Sequence, residues 1–163
     1  MIKIIALRGK HNAAEMMGSQ LNKVTFIGSF QQNAVLQRPL IGSRIAAGFP
    51  SPAQDYIEEN LDLNEYLIAH PSATYFVRVE GLSMVGAGIF SGDILIVDRS
   101  LEPAHKKIVI AIVDGELTVK RLWQENNKWY LMPENPDFPM TEITRDMEFT
   151  IWGVVVYALH KTG

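Results

Sequence analysis

Two residues could share a reaction. Ser83 sits in Gly81-Leu82-Ser83-Met84, with Gly86, Gly88 and Gly92 close behind. Glycine allows turns that expose a side chain together with main-chain N–H groups. Such N–H groups beside a serine can hold the negative charge that develops on a carbonyl oxygen under attack. Lys120 sits in the apolar run Leu117-Thr118-Val119-Lys120-Arg121-Leu122. Burial in such a run disfavours an ammonium ion. To act as a base near neutral pH the lysine must drop about three units from its ordinary value of ~10.4, which costs about 4 kcal/mol. The pair suggests a serine nucleophile with a lysine base. Ala46-Ala47-Gly48, upstream of both, suggests a substrate within the chain itself.

Each residue alone has a simpler account. A serine in a glycine turn often caps its own backbone. A lysine on a half-exposed hairpin ordinarily faces water. Residue type and strand alternation leave both accounts open. Other chemistry has less support. His11, His70, His105 and His160 are scattered, with no pair at metal-ligand spacing, and there are no cysteines. Neither a metal nor a cofactor is expected. Asp93 and Asp98 flank an apolar strand and read as turn and strand-end residues.

The elements that must position the pair are mostly strands. Tyr75–Val79 reads as a strand ended by Glu80-Gly81, and Ile94–Val97 as a short buried one after the turn Ser91-Gly92-Asp93. Ile108–Val113 and Glu116–Trp123 flank Asp114-Gly115, the dipeptide favoured in a type I′ hairpin turn. Asn126-Asn127 offers a second turn into Lys128–Met132, and Phe149–Leu159 is a last strand. In Glu116–Trp123, alternation places Thr118, Lys120 and Leu122 on one face. Two short helices are expected earlier. One starts at Ser51-Pro52-Ala53-Gln54 and one at Asp62-Leu63-Asn64-Glu65, both with capping signals. Residues 1–47 read as an extended arm, with a short strand at Met1–Leu7 and no sustained period after it.

Of 163 residues, 47% are hydrophobic and 20% charged, an ordinary globular composition for one domain plus an appendage. The net charge of -3 gives no general reason to expect nucleic-acid binding. Its distribution is uneven: residues 1–47 hold six basic residues and one acidic one, so the remainder carries -8. No apolar run approaches the roughly 20 residues that span a bilayer. The first residues are too short and interrupted for a signal peptide. A cytoplasmic location without membrane contact is expected.

Taken in order, these segments resemble the LexA/UmuD family of self-cleaving Ser-Lys proteins. Gly81-Leu-Ser-Met84, Gly88-Ile89 and Ser91–Asp98 resemble the family's nucleophile segment, and Asp114–Arg121 its lysine segment. Arg38–Gly48 resembles its cleavage region, with the scissile bond between Ala47 and Gly48. The resemblance runs from about Pro39 to the C-terminus. It implies Ser83 as nucleophile, Lys120 as general base and backbone N–H groups at Leu82 and Ser83 as oxyanion donors. It also implies a mainly β fold: a LexA/signal-peptidase-like catalytic domain of coiled sheets with one or two short helices. Residues 1–47 would be the arm removed by self-cleavage and residues 48–163 the peptidase-like domain.

Phe49–Tyr56, Asp62-Leu-Asn64 and His70–Phe76 resemble UmuD-type members, the accessory subunits of error-prone DNA polymerases. The short arm agrees with that type. Leu82 departs from the acidic residue usual there, at a position that would contribute mainly backbone. The resemblance further implies a homodimer, a RecA filament on single-stranded DNA as activator, a Y-family (UmuC-type) polymerase subunit as partner, and a place in the SOS DNA-damage response. Direct sequence-specific DNA binding is not expected. The alternatives are a self-cleaving repressor of LexA type, which would need DNA binding by residues 1–47, and a non-catalytic polymerase adaptor. A signal peptidase uses a similar pair but needs a membrane anchor.

Overall fold

The computed structural model describes residues 24–29, 37–41 and 57–163. The chain divides into two compact units, one of residues 31–71 and one of the remainder.

In the smaller unit two strands pair: β2 (Gln37–Ile41) and β3 (Ile57–Asp62) run antiparallel. The helix α1 (Leu63–Leu67) follows. Its cap is the expected one, since Asp62 accepts a hydrogen bond from the Asn64 N–H at 2.8 Å. The capping signal at Ser51 lies outside the described residues, and Ile57–Asp62 is strand rather than helix.

The larger unit is an eight-stranded antiparallel sheet. Its strands are β1 (Val24–Ser29), β4 (Thr74–Val79), β5 (Ile94–Asp98), β6 (Ile108–Val113), β7 (Glu116–Glu125), β8 (Lys128–Met132), β9 (Thr141–Glu142) and β10 (Phe149–Leu159). Their order is β1-β4-β5-β10-β6-β7-β8-β9. The expected hairpins form, for the expected reason. Asp114 and Gly115 adopt φ of 49° and 84°, so Val113 pairs with Glu116 across a tight turn between β6 and β7. Asn126 and Asn127, at φ 50° and 61°, do the same between β7 and β8. A left-handed conformation at both turn positions matches the twist of the flanking strands.

Strand β1 falls inside the segment whose sequence shows no period. Its register slips between Phe26 and Gly28. Ile27 is the extra residue of this bulge, and Val24 is buried while Thr25 and Ile27 are exposed. The Met1–Leu7 strand lies outside the described residues.

β10 organises the core. Its first half pairs with β6 and its second half with β5, and the register shifts once along each half. One apolar cluster gathers Val77, Met84, Leu95, Ile110 and Val119. A second gathers Val109, Leu122, Leu131 and Ile151. β6 and β7 contribute to both, so this part of the sheet is covered on both faces, and Val119 is as deeply buried as Leu122. Among the described residues no helix is long and apolar enough to cross a membrane.

At Gly153 the backbone of β10 lies tight against side chains of β5 and the residue after it. A Cβ there would sit 2.6 Å from Val97 Cγ1, a methyl on a stiff branched side chain. Gly153→Ala is therefore expected to lower unfolding stability by about 1–3 kcal/mol, measured by urea denaturation.

Candidate active site

The loop between β4 and β5 carries Ser83. Its base is closed by two backbone bonds, from Val79 N–H to Asp93 O (3.0 Å) and from Gly92 N–H to Val79 O (2.8 Å). Gly81 turns the chain at φ 111°, a conformation that L side chains rarely adopt. A 3₁₀ turn over Val85–Ala87 follows. Gly86 is required for a different reason: a Cβ there would lie 2.5 Å from the Glu134 carbonyl oxygen. That close approach lets Gly86 N–H donate to Glu134 O at 2.7 Å, while Glu134 N–H donates to Ser83 O at 2.8 Å. The loop after β8 thus grips the serine loop by its backbone. Leu82 is 56% exposed, so its side chain stands clear while its backbone stays in the loop.

Lys120 enters from the middle of β7. Its partner on β6 is Val109, which is fully buried. The hairpin therefore carries the lysine inward, and both Ser83 (2% exposed) and Lys120 (8%) are buried. Lys120 Nζ lies 2.9 Å from Ser83 Oγ. The water-facing account of the lysine and the self-capping account of the serine both fail against this contact. Burial lowers the Lys120 pKa from 10.5 to about 8.

Nζ has two further partners, Thr118 Oγ1 and Val119 O, each at 3.0 Å. A neutral amine has two N–H donors and one lone pair. The Val119 carbonyl can only accept, and so takes one N–H. The Thr118 hydroxyl can accept the other. The lone pair is then left for the Ser83 O–H. Strand alternation had placed Thr118 on the face of Lys120, but its part in aiming the amine is seen only in the structure. The Arg121 guanidinium, next along β7, pairs with the Glu134 carboxylate, which ties the lysine strand to the loop that grips Ser83.

The remaining candidates play other parts. Asp98 accepts from Ser100 N–H and Oγ–H at 2.8 and 2.6 Å. Asp93 accepts from Phe90 N–H at 2.8 Å and faces His160 Nδ1 at 2.8 Å. Both cap turns, as their positions suggested. Among the described residues no three His, Asp or Glu side chains gather to hold a metal. Ala47 and Gly48 lie outside the described residues.

A serine hydroxyl in contact with a buried amine, once that amine is neutral, is an arrangement suited to attack on a carbonyl. Comparison with known proteins points the same way. The Peptidase S24-like family profile matches residues 39–156. Protein MucA of Escherichia coli is 49% identical over 138 residues, covering 84% of this chain and 94% of that protein. Protein SamA of Salmonella typhimurium is 50% identical over 124 residues, covering 76% and 86%. LexA repressor 1 of Pseudomonas syringae pv. tomato is 43% identical over 124 residues, covering 76% of this chain and 60% of that protein.

The lowered lysine pKa has a consequence for stability. Below about pH 8 the amine is charged in both folded and unfolded chains, and the folded state bears the burial penalty. Above 10.5 it is neutral in both, and the penalty is gone. The group's contribution therefore becomes more favourable as pH rises from 8 to 10.5. Relative to Lys120→Met, the wild-type chain should gain roughly 2–3 kcal/mol across that window, measured by paired denaturant titrations.

Proposed function

The chain belongs to the Peptidase S24-like family and is a self-cleaving serine peptidase; from that premise we propose that Ser83 and Lys120 carry the reaction and that the bond cut is Ala47–Gly48. The observation that carries this reading is the 2.9 Å contact between Ser83 Oγ and the buried Lys120 Nζ.

Residues Arg44–Phe49 enter as an extended strand, and the small side chains of Ala47 and Gly48 allow close approach. Neutral Lys120 takes the Ser83 proton as Oγ forms a bond to the Ala47 carbonyl carbon. The Leu82 and Ser83 N–H groups stabilise the oxyanion. The tetrahedral adduct collapses, the Ala47–Gly48 C–N bond breaks, and Lys120 returns its proton to the leaving Gly48 amine. A water, deprotonated by Lys120, then attacks the acyl ester; Lys120 returns that proton to Ser83 Oγ as the ester C–O bond breaks, and Ala47 leaves as a carboxylic acid that ionises in water.

Tethering gives the cut segment a high effective concentration, so a modest catalyst suffices. It also gives a point of control, because a partner that favours the docked arm raises the rate. In this reading the activator is a RecA filament on single-stranded DNA. The protein acts with an error-prone polymerase in the DNA-damage response, and its partner there is a UmuC-type Y-family subunit in the cytoplasm. The charge pattern supports the sequence of events: loss of residues 1–47 leaves a body of net charge -8 for docking. Exposed Phe90, Val156 and Leu159 offer apolar contact to a second copy, in keeping with a homodimer.

Intact mass spectrometry of the full chain should show a fragment beginning at Gly48, absent from Ser83→Ala and Lys120→Ala, with a rate that climbs with pH to a midpoint near 8. An uncut chain at every pH and with the activator would remove the reading. Thr118→Val removes one of the two acceptors that orient the amine; it should slow cleavage about 3- to 10-fold, the loss of roughly one hydrogen bond, in the same assay.

A further inference from the structure

The Asn135 side chain reaches the serine loop by a hydrogen bond. Its Nδ2 donates to Leu82 O at 2.9 Å. From the other end of the same amide, Oδ1 accepts from the Asp137 N–H at 3.0 Å. A backbone N–H can only donate and a carbonyl can only accept, so one orientation of the amide satisfies both, and the flipped orientation satisfies neither.

The Leu82 carbonyl and the Ser83 N–H belong to one peptide unit, which is trans. The unit is planar, so fixing the direction of the oxygen fixes the N–H in the opposite direction. Ser83 is buried, and its N–H has no partner among the described residues. A buried, unpaired N–H beside a nucleophile is suited to an oxyanion. Glu134 and Gly86 hold the loop in place through their backbones; the Asn135 side chain holds this one peptide plane.

We infer that Asn135 is a positioning residue: it holds the Leu82–Ser83 peptide so that the Ser83 N–H faces the oxyanion formed when Ser83 attacks. The inference rests on the Ser83–Lys120 reading above. The competing account is that Asn135 only closes its own turn, through Asp137 N–H and through Phe138 N–H, which donates to Asn135 O at 3.1 Å.

Asn135→Asp separates the two. A carboxylate still accepts from Asp137 N–H, so the turn survives, but it cannot donate to Leu82 O. In the full chain, self-cleavage would be followed across pH for wild type, Asn135→Ala and Asn135→Asp. Both variants should lower the plateau rate about 10- to 100-fold, less than or comparable to deletion of an oxyanion donor, with the pH midpoint unmoved. Asn135→Asp cutting within about twofold of wild type, or a midpoint displaced in both variants, would overturn the inference. A second readout does not depend on turnover. In the full-length Lys120→Ala chain, Asn135→Asp should shift the Ser83 amide resonance and leave those of Val119 and Leu122 in place. An unmoved Ser83 amide would overturn the inference by itself. Failure of the wild-type chain to cut would instead count against the peptidase reading, and the amide measurement would still decide the role of Asn135.

Discussion

An amine held out of water against a hydroxyl is the constraint on which the rest of this structure depends. Water would keep Lys120 charged, with no lone pair free to accept a proton. The fold excludes water by placing the lysine mid-strand, opposite buried Val109 and beside buried Val119 and Leu122. It then supplies the acceptors that a desolvated amine needs, Val119 O and Thr118 Oγ1, from the same strand. Burial alone would lower the pKa; burial with two fixed acceptors also aims the lone pair.

The serine must be held to the same tolerance, although it sits on a loop. Loops are generally less rigid than the strands they join. Here the loop base is closed onto β4, and the loop after β8 grips its backbone at Ser83, Leu82 and Gly86. That second loop is in turn tied to β7 through Arg121 and Glu134. Ser83 and Lys120 are therefore braced against one strand by short connections, a direct way to keep a 2.9 Å contact in register.

Much of this was legible in the sequence, and the legible parts share a physical basis. The hairpins were marked by Asp114-Gly115 and Asn126-Asn127, whose residue types are selected by positive φ. The helix after Asp62 was marked by its cap. Ser83 and Lys120 were marked by their segments. Strand alternation alone could not decide whether Lys120 faced water, because both faces of that stretch of β7 are covered. Two features had no local signal. Strand β1 is a six-residue run in which a large apolar residue, Ile27, faces outward. The grip on the serine loop acts through backbone atoms, which every residue has, and through Asn135, which lies 53 positions from the carbonyl it holds.

The most direct test of the central claim is the titration of Lys120 itself. The side-chain carbon next to Nζ would be followed by NMR across pH in the full-length Ser83→Ala chain, which stays intact. A midpoint near 8 is the result that burial of the amine predicts. A midpoint near the ordinary 10.5 would mean that water reaches the amine, and that Lys120 is not the base.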